Sequence, residues 1–287
     1  MRRAIKDLCQ FDDSRLFKEV EEGISHLLMN VDRLDAAAHR LSAVNDHQSA
    51  RILGSLAQEE AAKVFILLDA VRCPTNKPRD RKRTLGYFYD HLAKGIYAAL
   101  CSWSLENFGQ VACQVSSERE QFYLDGPSNY DWIFPNQITN QREFIQYVDF
   151  ICDDTDDTET SPGERYWQTP PAASNISTYH TPRIVYLAKA LHRIKATSSS
   201  GLSVIARIWR EFEPRSETST SELIEMNALS VKTLEENRMF SADVKDEGWL
   251  ICQRWMFPLW PLNLGRKDVK KSDLRQIRKV RLESLGY

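Results

Sequence analysis

Ser55 to Phe65 reads SLAQEEAAKVF, two adjacent carboxylates inside an otherwise apolar helical run. A carboxylate on a packing face costs free energy unless it is paired or hydrogen-bonded. The apolar stripe here runs Leu53, Leu56, Ala57, Val64, Leu67, Leu68 and Val71, and Glu60 falls in it, four residues from Leu56 and from Val64. Glu59 lies to one side, with Lys63 four residues on as an i,i+4 partner. Glu60 is therefore expected to find a partner on a facing helix. The nearest cations are Arg33 and Arg40 before it, and His91 and Lys94 of YDHLAKG after it.

Three outcomes are open for Glu60: a buried ion pair that fixes helix register, a catalytic or ligand-binding carboxylate, or an exposed side chain on a different face. The cluster Glu59, Glu60, Lys63, His91 and Lys94 is the candidate catalytic set, because carboxylate, imidazole and ammonium together can move protons and hold anions. Glu60 and His91 could also hold a single metal ion, but no second Glu-x-x-His follows to make a two-metal bundle. No metal and no cofactor is expected. The basic run KPRDRKR, residues 77–83, is the candidate RNA-contacting stretch through Arg79, Arg81, Lys82 and Arg83, with a solvated interhelical loop as the alternative. A second basic stretch lies in KDVKKSDLRQIRKVRLESLGY at the end of the sequence. Glycine-rich phosphate loops, zincin, nucleophile-elbow and dinucleotide fingerprints are absent.

These residues need helices to position them. Residues 15–46 read as helix, and Asp46 suits the N-cap of a second from His47 to Arg72, which Pro74 and Pro78 end. Leu85, Phe88, Leu92, Ile96, Ala99 and Trp103 keep helical spacing through 84–115, predicting an antiparallel hairpin with 47–72. Residues 122–137 are turn-rich and aromatic, and a short helix is expected over 139–151. An acidic, Pro-rich exposed loop follows over 151–180. Helices are expected at 182–197, 201–213 and 220–238, then a segment with three tryptophans, GWLICQRWMFPLWPLNLG, that caps a core, and a terminal basic amphipathic helix. Strand alternation and internal repeats are not evident. The expected organisation is all-α: a helical bundle over 1–150, the loop over 151–180, and a helical C-terminal region over 181–287 packing on the bundle.

Composition narrows the classes. The net charge of −2 gives no global field for nucleic acid, so any such contact must be local. Cys9, Cys73, Cys101, Cys113, Cys152 and Cys252 include no C-x-x-C pair, which argues against a zinc site and for buried reduced thiols. With no long apolar run and no apolar leader after the two N-terminal arginines, a cytoplasmic chain without a membrane partner is expected.

ARILGSLAQEEAAKVFILLDAV and DHLAKGIYAAL together resemble the AbiV family of abortive-infection proteins, over about residues 20–105. The upstream LDAAAHRLSAVNDHQSA resembles the paired helices that open that family, and Ala62 stands where the family sequence usually has glycine. The resemblance implies a HEPN-like antiparallel helical bundle, a homodimer, and an antiviral role as an RNA-cutting toxin. The family group's signature is an arginine, four to six residues, then a histidine, and Arg40 and His47 in RLSAVNDH fit it. There histidine would move the 2′-hydroxyl proton and arginine would stabilise the phosphorane. The alternative is a non-enzymatic defence protein that binds RNA or a phage protein, with a phage-encoded activator as a further expected partner.

Overall fold

The computed structural model describes residues 3–121, 136–153, 164–170, 178–240 and 244–268. After a 3-10 turn, Ile5–Gln10, the chain enters α1, Asp13–Ala43, and α2, His47–Arg72. Asp12 caps α1 by accepting from the Arg15 amide at 2.9 Å. Leu16, Val20, Ile24, Leu27, Val31, Leu34 and Ala38 then recur every three or four residues, and all are buried. Asn45 turns the chain at a φ of 65°, a left-handed conformation its short polar side chain tolerates. Asp46 caps α2 as expected, accepting from Ser49 at 3.1 Å. From Ala61 to Arg72 all but Lys63 are buried, so α2 is the central helix.

The predicted long helix over 84–115 is cut into pieces. α3, Pro78–Gly86, is followed by a 3-10 turn, Tyr87–Tyr89, then α4, His91–Leu100, and α5, Phe108–Glu118. The apolar period is real, but two side-chain caps interrupt it. Asp90 accepts from the Ala93 amide at 3.0 Å, and Asn107 accepts from Gln110 at 2.9 Å. α4 rather than one long arm packs along α2. The basic run read as a loop is also helical, since Pro78 opens α3 at the position where its missing N–H costs nothing.

β1, Glu120–Gln121, precedes α6, Gln137–Gln146, which packs on α2 and α4. β2, Asp149–Asp153, and β3, Glu164–Gln168, pair antiparallel, so the ends of the stretch read as an acidic loop form a hairpin, with Phe150 opposite Trp167. The acidic residues 154–163, the aromatic residues 122–135 and the terminal basic residues 269–287 lie outside the described residues.

α7, Arg183–Arg193, α8, Ser199–Trp209, α9, Thr220–Glu236, and α10, Lys245–Arg254, follow, and β4, Lys267–Asp268, pairs parallel with β1. α7 and α8 pack on α2, and their apolar faces join its hydrophobic core. The tryptophan-rich segment caps that core, with Trp255 and Trp260 at 1% exposure. It is pinned by a fully buried ion pair. Arg72 Nε donates to Asp69 at 2.9 Å, and its guanidinium lies 4.7 Å from both the Trp209 and Trp255 rings. Asp69 also accepts from Tyr97 Oη at 2.6 Å and from the Leu259 amide at 2.7 Å, so α2, α4 and the C-terminal segment share one carboxylate. Among the described residues no helix is long and apolar enough to cross a membrane.

Candidate active site

The carboxylate that reaches across to a facing helix is Glu59, not Glu60. His91 Nδ1 lies 2.9 and 3.0 Å from its two oxygens, Lys94 Nζ donates at 2.6 Å, and Arg142 Nε donates at 2.9 Å. Three helices, α2, α4 and α6, therefore meet at one side chain. Glu60 instead takes the lysine first assigned to Glu59: Lys63 donates to it from the next turn and lies over the Phe88 ring. Glu60 and His91 thus bond different partners, and the metal pair suggested for them is not formed.

Local structure explains the arrangement. The Asp90 cap makes His91 the first residue of α4, which leaves its side chain half exposed, while Lys94 one turn on is only 5% exposed. Burial pushes the Glu59 carboxyl up, but the hydrogen bond and charge of Lys94, then those of His91, outweigh it and hold it below its ordinary value. Glu59 is therefore a carboxylate, and its two oxygens favour a proton on the His91 Nδ1 that faces them, with Lys94 Nζ 3.3 Å from the same nitrogen. That leaves Nε2 as the basic edge of the ring.

His91 and Glu59 line an open cleft of about 730 Å³. Arg51, Gly54 and Gln58 of α2 share one wall with Glu59, and Gly95 and Ala98 of α4 lie beside His91. Ile138, Arg142 and Phe144 of α6 form the opposite wall, and Tyr179, Arg183 and Ile184 close the end. Two glycines let these walls approach. A Cβ on Gly54 would sit 2.3 Å from the Tyr179 ring, and one on Gly95 2.0 Å from Ile138 Cγ2. Tyr179 is fixed in turn by Asp35, which accepts from its hydroxyl at 2.9 Å and from Lys189 at 3.0 Å. Burial, then the Asp35 hydrogen bond, raise the Tyr179 hydroxyl far above its ordinary value, so it stays a donor. Among the lining residues Glu59 is the single acid beside three arginines, which makes the wall cationic.

The other predicted residues lie elsewhere. Arg40 is exposed in the last turn of α1, and His47 opens α2 with Nδ1 3.4 Å from Ser42 Oγ, so the two flank the α1–α2 turn and neither lines the cleft. Of the basic run, Arg81 is 7% exposed and donates to the Cys73 carbonyl at 3.0 Å. Arg83 donates to the Trp260 carbonyl at 2.8 Å, while Arg79 and Lys82 are exposed on α3. The expected four-residue RNA patch does not form as one surface, because Arg81 and Arg83 are spent on main-chain carbonyls, and Arg79 and Lys82 are left on α3 away from the cleft lining. Sequence reading missed Arg142, Arg51, Arg183 and Tyr179. Arg51, Gly54, Ser55, Gln58 and Glu59 recur at 3–4-residue spacing, and that polar stripe was the available signal. Arg142 and Arg183 carried none.

Residues 19–151 match the AbiV family model, a HEPN-type model. The match extends past the stretch of sequence resemblance and takes in α6, so Glu59, His91, Lys94 and Arg142 all lie inside it. Neither the comparison with curated proteins nor that with solved structures gave a match. The helical fold and the family match agree: over residues 19–151 the chain is similar to the HEPN domain of the AbiV family.

Proposed function

We propose that this chain is an abortive-infection protein that acts by cutting RNA, with His91 as the general base. The observation that carries the reading is the Glu59–His91 pair on the wall of a cationic cleft. Glu59 fixes the ring so that Nε2 is free to take the proton of a 2′-hydroxyl. The O2′ then attacks the phosphorus, the P–O5′ bond breaks, a 2′,3′-cyclic phosphate forms, and the leaving oxygen takes a proton from water. Arg142 spends its Nε on Glu59, and its remaining N–H groups would stabilise the charge that builds on the phosphorus. Lys94 holds Glu59 ionised throughout.

The test is incubation of the purified protein with total RNA, with and without EDTA, beside His91→Ala and Glu59→Gln variants shown to be folded. Cleavage by the wild type, unaffected by EDTA and reduced about 10²–10⁴-fold in His91→Ala, is expected. Full activity in a folded His91→Ala would overturn the assignment. A second reading has its own support: Glu59 ties α2, α4 and α6 together, as a purely architectural cluster would. On that reading the chain is a non-enzymatic defence protein. Wild type would leave RNA intact, and Glu59→Gln would change stability alone.

A further inference from the structure

We infer that the cleft grips single-stranded RNA through Arg51 and Arg183, with a base stacked on Phe144. This deepens the ribonuclease reading and rests on the same site. Several arginines among the described residues are committed to partners within the fold. Arg72, Arg193 and Arg210 make ion pairs, Arg81 and Arg83 bond carbonyls, and Arg142 holds Glu59. Arg51 and Arg183 both line the cleft, and neither makes an ion pair among the described residues. Two uncommitted guanidinium groups facing one cleft form an anion site.

Placement says which phosphates. Arg51 lies eight residues before Glu59 on α2, roughly 12 Å along the helix axis. A phosphate on Arg51 is therefore not the one at His91 but a neighbour along a strand. Arg183 opens α7 at the far end of the cleft, outside the matched residues 19–151. The C-terminal region of this chain thus supplies a wall and a cation from outside residues 19–151. Phe144 is 38% exposed on the α6 wall and gives the flat apolar face that an unstacked base seeks. Cations spaced along a groove beside an exposed aromatic are the elements of single-strand binding, and a paired base has no free face to offer Phe144.

The experiment is fluorescence anisotropy of a labelled single-stranded RNA against the full chain in a His91→Ala background, which separates binding from cleavage. Adding Arg51→Gln and Arg183→Gln together should weaken binding at least tenfold. It should also flatten the plot of log affinity against log salt by about 1.4, near 0.7 for each lost phosphate contact on a single strand. Phe144→Ala should weaken binding with the salt slope unchanged. Arg79→Gln with Lys82→Gln, on α3, should leave binding as it was. No binding, equal competition by duplex RNA, or a loss confined to the α3 variant would each overturn the inference. Binding that behaves as expected while the wild type cleaves nothing would leave it standing and remove the ribonuclease reading. Cleavage with a KM unmoved by the double arginine change would do the reverse.

Discussion

Replacing Glu59 with Gln keeps the shape of the side chain and removes its charge. Three donors lose their anion: Lys94 at 2.6 Å, Arg142 at 2.9 Å and His91 at 2.9 Å. Their burial decides the magnitude. His91 is 49% and Arg142 25% exposed, so water can take up much of what they lose. Lys94 is 5% exposed and cannot be rehydrated in place. Its stranded charge sets the cost at about 2–3 kcal/mol, the range of a charge-assisted hydrogen bond rather than of a fully buried pair. In a chain of this size that lowers Tm by roughly 4–12 °C, read by circular dichroism at pH 7. The effect has a pH signature. Glu59 is held below its ordinary value of 4.5, so its contribution is complete above that value and fades as pH falls through the lower folded value. Wild type and Glu59→Gln should therefore differ fully at pH 6 and converge in acid, where the wild type also carries a neutral side chain. Lys94→Met on top of Glu59→Gln should restore part of the loss. A Tm difference that is absent at pH 7, or that grows as pH falls, would refute the cluster as described.

Asp69→Asn should be far more damaging, costing about 3–5 kcal/mol, because it leaves the fully buried Arg72 without its anion between two tryptophan rings; chemical denaturation measures it. Gly95→Ala should push Ile138 away and move α6 off the cleft, at about 1–3 kcal/mol. Ile138→Ala should rescue its stability, and failure to do so would show that Gly95 matters for some other reason.

Much of the fold was legible because helix caps and apolar periods act locally. Asp46 and the start of α2 follow from the sequence alone, as does the α1 stripe from Leu16 to Ala38. The misread of 84–115 came from the same physics. The apolar period runs past Asp90 to Trp103, yet Asp90 and, farther on, Asn107 each bond an amide of the next turn as N-caps, so separate helices start there. The period reports which face is buried, and the N-caps report where a helix begins. Where the two disagree, the caps prevail. The pairing of Asp149–Asp153 with Glu164–Gln168 was hidden because neither strand is longer than five residues.

The site was half legible for a reason the helix itself supplies. Adjacent residues on an α-helix stand about 100° apart, so Glu59 and Glu60 face different neighbours. Asking which one lies in the apolar stripe selects Glu60, since Leu56 and Val64 flank it. But an apolar stripe is where a helix meets nonpolar partners, and a carboxylate gains more beside cations than inside such a stripe. Glu60 therefore leans to its own turn and takes Lys63, while Glu59, at the edge between stripe and cleft, meets His91, Lys94 and Arg142. Edge positions are where a charge can be shielded enough to be strong and open enough to be used. The same logic bears on Arg51, Gln58 and Glu59, which continue one polar edge along α2 towards Tyr179 and Arg183. On a central helix such as α2, which is buried from Ala61 to Arg72 except at Lys63, a polar edge running from Arg51 to Glu59 is the part that the core leaves open to a cleft.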